Sequence, residues 1–484
     1  MSGARRTVVV LLALDIGIWG DVLLRAPGAP GLNAALWAAA GVAAAACVIR
    51  GRGAAIPRES GVLLAIALVF ALALAWRDAP SLRALNVLAA VAAATLAAAG
   101  AAAPWLLRAG SYECALRGVY TLLAVVSGPL LLPAEEPIAL QPEWRRRGMG
   151  VLRGSLLAFP LLLVFGSLLA AADPMFEHVV TRTLAFDAAE LIGHLLLISF
   201  LAWTAAGYLG RFAAPRSDDT PAPPWQRRLG FVEGAVTLTL VNALFLLFIG
   251  VQLRYLFGGS DVVQQTVGLG YADYARRGFF ELVAVVALVV PLLLLVEWVL
   301  RRERPAQELG FRLLTLGQIL LLYGILASAL YRMHLYRQVY GLTELRLYTT
   351  AFMAWIAFVL AWLAVTVLRG RRHRFVSGAL TAAFATVFLL DVANPHAVIA
   401  RVNTGRAAAG DRFDAAYATA LSADAVPALV ASLERLPAAR RCVLSHELIG
   451  KWRSERPGGW RTWNHGDWRA RRSVAALAAE SPRC

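Results

Sequence analysis

A series of apolar segments, each close to the length of a membrane-spanning helix, most constrains how this chain can fold. A helix needs about 20 predominantly apolar residues to cross a hydrocarbon core roughly 30 Å thick. Twelve segments approach that length: Thr7–Leu24, Leu32–Ile49, Gly61–Trp76, Ala84–Leu107, Ala115–Leu132, Val151–Ala172, Ala188–Gly210, Phe231–Leu256, Gly278–Leu300, Phe311–Leu330, Leu347–Leu368 and Phe375–Leu390. The pattern predicts an all-α chain that forms a polytopic transmembrane helical bundle.

Composition supports the membrane class. Of the 484 residues, 59% are hydrophobic and only 16% are charged, and the mean hydropathy is +0.62. Soluble proteins carry roughly 25% charged residues. The net charge of +16 would suggest nucleic acid binding in a soluble protein. Here the arginines lie mainly in short loops, where positive charge holds a loop on the cytoplasmic side. We therefore expect membrane lipid, and no nucleic acid, as a partner.

The arginine-rich loops also predict an orientation. Loops at 145–147, 211–228, 301–304 and 369–374 are basic and are expected to be cytoplasmic, as are Arg5, Arg6 and the loop at 50–58. These two sets conflict if Ala115–Leu132 crosses completely. That segment contains Ser127-Gly-Pro129, which favours a re-entrant or shallow path. We predict eleven spans, or twelve if it crosses, with the N-terminus inside and the C-terminus outside.

The sequence divides into a membrane domain over 1–391 and an extramembrane C-terminal domain over 392–484. A helical hairpin is expected there, with Phe413–Leu421 in its first arm and Ala423–Leu436 in its second. Ser422 would be the N-cap of the second helix, and Asp424 would lie favourably in its first turn. The domain is predicted to be a small helical cap.

The end of the chain is rich in tryptophan and arginine between Trp452 and Arg472. This composition is typical of a surface at the lipid headgroups, and equally of a small loop-rich cap packed on the membrane domain. The four cysteines, Cys47, Cys114, Cys442 and Cys484, share no metal-ligand spacing. Two free thiols are expected at Cys442 and Cys484, although the pair could form a disulfide in an oxidising compartment.

The most polar short run in the apolar part of the chain extends from Tyr331 to Tyr348. A helix from Tyr331 to Tyr340 would have two polar faces, so it could not cross lipid and is predicted to lie along the outer interface. Gly341 is expected to stop it, and Thr343 with Glu344 to begin the next span.

Several arginines break the charge rule because they lie at the predicted outer ends of spans. Either they pair with local carboxylates and hold the outer loops in place, or they converge on an anion such as a lipid phosphate; the planar guanidinium suits both roles. With their polar neighbours they form the candidate ligand-binding set: Arg276, Arg277, Glu281, Arg332, His334, Arg337, Tyr340, Glu344 and Arg346.

Ionisable groups inside spans form a second candidate set, because burying one in hydrocarbon costs about 2.5–3.5 kcal/mol on insertion scales. Asp15 lies within the first span, and Glu190 and His194 lie one helical turn apart. Such groups could serve a proton path or hydrogen-bond to neighbouring helices. Two ligands at helical spacing do not make a zinc site, which needs three or four. We expect neither a metal nor a cofactor.

Sequence motifs for catalysis are absent. The chain contains no P-loop, no dinucleotide-binding glycine fingerprint, no His-Glu-x-x-His and no Gly-x-Ser-x-Gly. We therefore expect a non-enzymatic membrane protein that binds an anionic lipid or lipid-linked molecule for transport, sensing or scaffolding, with a membrane protein as a further partner. The alternative is a membrane-embedded transferase with His334, Glu344 or Glu190 as general base.

Several short motifs recur together in known proteins: Pro30-Gly-Leu-Asn33, Trp76-Arg-Asp-Ala-Pro80 with Leu85-Asn86, Ala172-Asp-Pro174, Tyr271 to Leu282, Tyr340 to Tyr348, Asn394-Pro-His-Ala-Val-Ile-Ala-Arg401 and Leu421-Ser-Ala-Asp-Ala-Val426. With these motifs the chain resembles the bacterial membrane proteins of the domain-of-unknown-function family 4173, and the sister family 4153 is similar. The resemblance implies an integral protein of the bacterial envelope. It brings no established activity, so no functional residue is carried over.

Overall fold

The structure is a computed structural model of the chain. It describes residues 3–26, 28–53, 56–102, 111–127, 188–213, 230–257, 279–300, 304–366, 369–371, 374–454 and 459–480. Over these residues the regular structure is helical, with no strand. Ten of the described helices are long and apolar enough to cross a membrane. The prediction of an all-α polytopic bundle is confirmed.

Six of the described helices form a first bundle. They are α1 (Gly3–Leu24), α2 (Leu32–Arg50), α3 (Arg58–Trp76), α4 (Pro80–Ala102), α5 (Ser111–Ser127) and α6 (Ala188–Ala213). Small side chains let them approach closely: a Cβ on Gly17 of α1 would lie 2.7 Å from the Ile198 carbonyl oxygen of α6. Close contact between small residues is the main packing device in lipid, which gives apolar helices no hydrophobic reason to associate.

Four helices form a second bundle: α7 (Phe231–Phe257), α8 (Phe279–Val299), α9 (Pro305–Tyr340) and α10 (Glu344–Thr366). Its core contains Leu322 and Ile325 of α9 and Leu360 of α10, all of which are buried. Helix α9 is parallel to α7, since Gly310 lies against Phe231 and Gly324 lies against Ile249.

The prediction of a separate interfacial helix from Tyr331 to Tyr340 is wrong. Helix α9 continues without interruption from Pro305 to Tyr340, 36 residues, or about 54 Å at 1.5 Å per residue. No glycine or proline interrupts it near Leu330, and Arg332 lies buried against Gln252 of α7 instead of facing the interface. Gly341 ends the helix as predicted, with φ at +74°.

Helix α11 (Phe375–Ala393) lies between the two bundles and packs on both. Phe375 and Ala379 pack against the core of the second bundle, and Leu380 and Phe384 against the core of the first. Apolar grooves run along both of its sides. The larger, about 1160 Å³, separates it from α10, and the smaller, about 560 Å³, separates it from α3.

Five further helices cover one end of the bundles. They are α12 (Pro395–Ala408), α13 (Ala415–Ala420), α14 (Val426–Ser432), α15 (Ala438–Ser454) and α16 (His465–Ala479). Together with their connections, residues 394–480 are called the cap. The predicted hairpin is only partly right, because α13 packs mainly on α15. Ser422 does act as an N-cap, accepting from the Asp424 amide, although the element it caps is a single 3₁₀ turn.

The ends of the described helices fall on two faces. Trp76, Glu344 and Ala393 lie at the end that the cap covers, here called the cap face. The opposite ends include Arg50, Phe231 and Phe375, and the arginine-containing loops at 50–53, 304 and 369–374 leave from this basic face. The cap and the basic loops that the structure describes therefore lie on opposite sides.

The predicted spans agree with the described helices, apart from two. Val151–Ala172 lies outside the described residues, so it remains a prediction. Helix α5 has only 17 residues and is not among the ten candidate spans. The path after Ser127 lies outside the described residues, and the re-entrant path stays a prediction.

Candidate functional site: a buried polar junction beneath the cap

A cluster of buried and half-buried polar residues joins the cap to both bundles, and we call it the junction. Its members are Arg77, Asp78, Asn86, Glu344, Asp391, His396 and Asp424. They come from the corner between α3 and α4, the first turn of α10, the corner between α11 and α12, and the 3₁₀ turn of the cap. Both corners contain a proline as the first or second residue of the following helix, which ends one helix and starts another.

Arg77 is the buried cation of the junction. It is extended, with φ −113° and ψ 141°, because α3 has ended at Trp76. Its Nε donates to the Asp391 carbonyl oxygen at 2.6 Å and its Nη2 to the Val392 carbonyl oxygen at 3.5 Å. Its Nη1 lies 3.9 Å from Asp424 Oδ1. Arg77 therefore satisfies carbonyls at the C-terminus of α11, which have no helical partner.

Asp424 reaches from the cap to the start of α4. Its Oδ2 accepts from the Asp78 amide at 2.6 Å and from the Ala79 amide at 2.9 Å. Asp78 Oδ2 accepts in turn from the Ala423 amide at 3.0 Å, and the other Asp78 oxygen pairs with Arg83. A carboxylate suits amides at a helix N-terminus because these carry partial positive charge.

Glu344 and His396 form the second contact between the membrane helices and the cap. His396 Nε2 lies 2.6 Å from Glu344 Oε1, and Ser81 Oγ donates to Glu344 Oε2 at 2.7 Å. His396 Nδ1 accepts from the Ser422 amide at 2.9 Å, so this nitrogen carries no proton. Nδ1 therefore acts as an acceptor, and Nε2 is the nitrogen that faces the carboxylate.

Asp391 and Asn86 form the deepest pair of the junction. Asp391 lies in the last turn of α11 and is 1% exposed, while Asn86 of α4 is fully buried. Asn86 Nδ2 donates to Asp391 Oδ1 at 2.8 Å. The other oxygens of this pair, Asp391 Oδ2 and Asn86 Oδ1, are buried and lack a hydrogen-bond partner among the residues that the structure describes.

Burial changes the acid–base behaviour of the junction residues outside the spans. Desolvation lowers the pKa of Arg77, although Asp424 and Asp391 oppose that shift. Desolvation also raises the pKa of Asp424 above its usual range, against the hydrogen bonds from the Asp78 and Ala79 amides. Both pKa shifts have the same cause: burial removes water from the charged form and so disfavours it.

The tail of the cap packs on the membrane helices. Asn464 Nδ2 donates to the Leu74 and Arg77 carbonyl oxygens at 2.8 and 2.9 Å, and the Leu32 amide donates to the Trp463 carbonyl oxygen at 3.0 Å. Trp452 is buried in the cap core. Trp460, Trp463 and Trp468 are exposed beside the cap face, so the tail has features of both alternatives raised by its composition.

A separate cavity, which we call the Tyr340 pocket, lies where α9 ends beneath the cap. It has a volume of about 700 Å³, and its lining includes Tyr340 and Thr343 from the membrane side and Asn403, Arg406, Arg412 and Tyr417 from the cap. Arg406 donates to the carbonyls of Arg337, Gln338 and Val339, so it caps the C-terminus of α9. Arg412 is exposed.

Two other members of the predicted ligand set border this pocket. Arg346 donates to the Gly341 carbonyl oxygen, and its guanidinium lies over the rings of Tyr336 at 4.2 Å and Tyr340 at 6.0 Å. The Arg337 carbonyl oxygen accepts from Arg406. These contacts place arginine beside tyrosine at the cap face.

None of the other described members of the predicted ligand set is in the lining of the Tyr340 pocket. Arg332 is buried and donates to Gln252 Oε1 at 2.6 Å, and His334 Nε2 lies 3.0 Å from Gln338 Nε2 on the exposed side of α9. Glu281 is exposed at the start of α8. Glu344 belongs to the junction. Arg276 and Arg277 lie outside the described residues.

Of the second candidate set, Glu190 and His194 lie together and Asp15 lies apart. His194 Nδ1 lies 2.5 Å from Asp21 Oδ2, and its Nε2 lies 3.9 Å from Glu190, so a histidine and two carboxylates meet between α1 and α6. Arg25 also reaches Asp21, at 3.9 Å. Asp15 is exposed on α1 and takes no part in this group.

These helices and their cap define a multi-pass helical membrane protein. A family model described as "Domain of unknown function (DUF4153)" matches residues 64–432. The chain belongs to that family, which is related to family 4173, the family that the sequence motifs resemble. No curated protein and no solved structure matches the chain.

Sequence reasoning missed most of the junction as a site. Arg77, Asp78, Asn86, His396 and Asp424 all stand in the motifs that carried the family resemblance, and all lie within the matched region. The signal was therefore present in the polar residues of those motifs. Each appeared to be an isolated corner residue, because nothing in a single sequence shows that positions some 345 residues apart meet.

Proposed function

We propose that this protein is a non-enzymatic membrane protein that binds the headgroup of an anionic phospholipid in the Tyr340 pocket. The observation that carries the proposal is that Arg406 and Arg412 line one cavity at the end of α9, with Arg346 bonded to the lining residue Gly341. Guanidinium groups bind phosphate through charge-assisted, often bidentate, hydrogen bonds.

The neighbouring side chains support a lipid headgroup as the ligand. Tyrosine is enriched where protein meets the headgroup layer, and Tyr340 and Tyr417 both line the pocket. Asp414 also lines it, but its Oδ1 is engaged with the Tyr417 amide as a helix N-cap. Transport, sensing and scaffolding would all begin with this binding step.

The proposal includes an orientation, with the cap outside the cytoplasm of a bacterial cell membrane. The described basic loops lie on the opposite face, as expected for cytoplasmic loops. Cys442 in the cap is disulfide-bonded, while Cys47 and Cys114 are free thiols. The expectation of a free thiol at Cys442 is therefore wrong. Disulfides persist in oxidising compartments such as the periplasm, which supports an external cap.

The experiment is native mass spectrometry of the purified full-length protein after exchange into detergent that contains phosphatidylglycerol or phosphatidylcholine. We expect retention of phosphatidylglycerol, weakened in Arg412→Gln by about 1.5–3 kcal/mol, which is on the order of tenfold to a hundredfold. Arg441→Gln is the matched control, because Arg441 is an exposed arginine of the same cap outside the pocket lining.

Equal retention of both lipids, or equal loss in both variants, would reject the pocket as an anionic lipid site. No specific observation favours the transferase alternative, for which His334, Glu344 or Glu190 would each be a candidate base, because His334 lies beside an amide and not a carboxylate. His334 neighbours Gln338, Glu190 neighbours His194, and Glu344 lies in the junction.

A further inference from the structure

The pair formed by Asp391 and Asn86 has an unusual hydrogen-bond balance. One bond runs from Asn86 Nδ2 to Asp391 Oδ1, and the remaining oxygens, Asp391 Oδ2 and Asn86 Oδ1, are both buried acceptors. An amide and an ionised carboxylate have too few hydrogens to satisfy both of these oxygens. A buried acceptor without a partner costs about 1–3 kcal/mol.

Arg77 does not compensate the Asp391 carboxylate through a hydrogen bond. Its Nε and Nη2 donate to main-chain carbonyls, and its Nη1 faces Asp424 at 3.9 Å. Arg77 contributes only a longer-range attraction to Asp391, which the charge of Asp424 opposes. Asp391 is thus a buried acid whose hydrogen-bonded neighbour is a neutral amide.

Charges of both signs surround Asp391. The basic groups are Arg77, Arg83 and the exposed Arg469 of α16, and the acids are Asp78, Glu344 and Asp424. Tyr348, His396 and His465 also face this region, and desolvation lowers the pKa of His465. The attraction of Arg77 for Asp391 is opposed by the charge of Asp424, so an ionised Asp391 would be a buried negative charge without a hydrogen-bonded cation.

We propose that the junction is a proton-binding site, in which Asp391 carries a proton on Oδ2 and donates it to Asn86 Oδ1. The carboxylic acid and the amide then form a cyclic pair with two parallel hydrogen bonds. One proton satisfies both buried oxygens and removes the uncompensated charge. The ligand is H⁺ from solvent, and its binding forms one O–H bond without any co-reactant.

The geometry favours a proton over a metal ion. Hard cations such as Ca²⁺ take six to eight oxygen ligands, including several carboxylates. Within the described part of the chain, no group of three or more Asp, Glu, His or Cys residues is arranged to hold a metal ion. A single acid–amide pair provides too few ligands for such an ion but suits one proton.

Proton release would act on the attachment of the cap. The Asp391 carbonyl oxygen accepts from Arg77, whose carbonyl oxygen accepts from Asn464, so the acid, the α3–α4 corner and the tail form one hydrogen-bonded chain. An ionised Asp391 would repel Asp424 and would leave both buried acceptors, Asp391 Oδ2 and Asn86 Oδ1, without a donor. We therefore infer that the junction is tight when protonated and loosens as the pH rises.

Infrared spectroscopy of the full-length protein in detergent tests this directly. The wild-type spectrum at pH 7 should contain a protonated-carboxyl stretching band that Asp391→Asn removes and that disappears as the pH rises. Asn86→Ala keeps the acid and should shift the band to a more weakly hydrogen-bonded frequency. This second variant keeps the test decisive if Asp391→Asn does not fold. Asp411→Asn, which changes an exposed cap acid, is the matched control and should leave the band in place.

Thermal unfolding gives an independent readout. The wild type should lose stability as the pH rises, whereas Asp391→Asn, whose amide imitates the protonated acid in size and charge, should flatten that decline. A pH 7 spectrum in which Asp391→Asn removes no carboxyl band would overturn the proposal. A second result would also overturn it. If sodium chloride stabilises the wild type and choline chloride does not, and Asp391→Asn abolishes this difference, a sodium ion occupies the site instead of a proton.

Discussion

Asp78 and Asp424 exchange hydrogen bonds between the first third of the chain and the cap. Asp424 Oδ2 accepts from the Asp78 amide at 2.6 Å, and Asp78 Oδ2 accepts from the Ala423 amide at 3.0 Å. Each carboxylate therefore satisfies a backbone amide at the start of the other's helical turn. The arrangement resembles a capping box formed between two distant segments. It fixes the position of the cap over the α3–α4 corner by polar contacts as well as by apolar packing.

Loss of Arg77 should weaken this attachment more than loss of any exposed arginine. Arg77→Gln leaves Asp424 without its nearest cation and the Asp391 carbonyl without its donor. Removing one partner from a buried ion pair costs about 3–5 kcal/mol, because the other charge stays buried. We expect a large fall in the unfolding temperature and earlier cleavage of the cap in limited proteolysis.

The matched control for Arg77 is Arg83→Gln. Arg83 also pairs with a junction acid, Asp78, but its side chain is closer to the surface. A charge pair that keeps more contact with water loses less hydration, so Arg83→Gln should destabilise the protein less than Arg77→Gln. Similar effects of the two substitutions would show that Arg77 has no special part in holding the cap.

The turn after α9 gives a prediction about backbone conformation. Gly341 has φ at +74°, and a Cβ built on it would lie 2.8 Å from Asn403 Oδ1. Asn403 bonds both the amide and the carbonyl of Leu342, so it cannot move away freely. Gly341→Ala should therefore destabilise the protein by about 1–3 kcal/mol, measured by thermal unfolding in detergent.

Gly405 provides the contrasting substitution. It lies inside α12 with a helical conformation, and a Cβ there would have no other atom within 4 Å. Alanine should stabilise it by about 0.4–1 kcal/mol, since the unfolded chain loses freedom. If both alanine variants were equally stable, the turn would not depend on the left-handed conformation of Gly341.

The proposed orientation predicts which thiols react from outside. In intact spheroplasts, a membrane-impermeant maleimide should label Cys442 only after mild reduction, because its disulfide blocks it and the cap is external. A cysteine introduced as Arg371→Cys on the basic face should be labelled only after lysis. Labelling of that cysteine in intact cells, with protection of reduced Cys442, would reverse the orientation.

The membrane helices could be predicted from the sequence because hydropathy alone records them. Ten predicted spans correspond to described helices, and the stop at Gly341 followed from the same local rules. The predicted end of a helix at Leu330 was wrong, because a change to polar composition was interpreted as a helix boundary. The polar run after Leu330 indicated a new helix, but backbone hydrogen bonding continues there because no residue interrupts it.

The junction could not be predicted, for a different reason. Burial of Arg77, Asp391 and Asp424 depends on contacts across more than 300 positions, and local patterns do not encode such pairs. The charge rule identified unusual arginines at the cap face, and Arg346 does lie beside tyrosines there. It could not show that Arg332 would turn inward to Gln252, because that contact depends on the packing of α7 against α9.

The bonds from Asn464 to the Leu74 and Arg77 carbonyls also bear on the order in which the protein is made. Helices α3 and α4 are made early, yet the Leu74 and Arg77 carbonyls at their shared corner gain Asn464 as a partner only when residue 464 is made. Residue 464 lies 390 residues after Leu74. Until then the corner must stay hydrated at the membrane surface. Assembly of the cap face is therefore a late, post-insertional step, and a ribosome that stops before residue 464 would release a protein with every described span but with an unsealed corner.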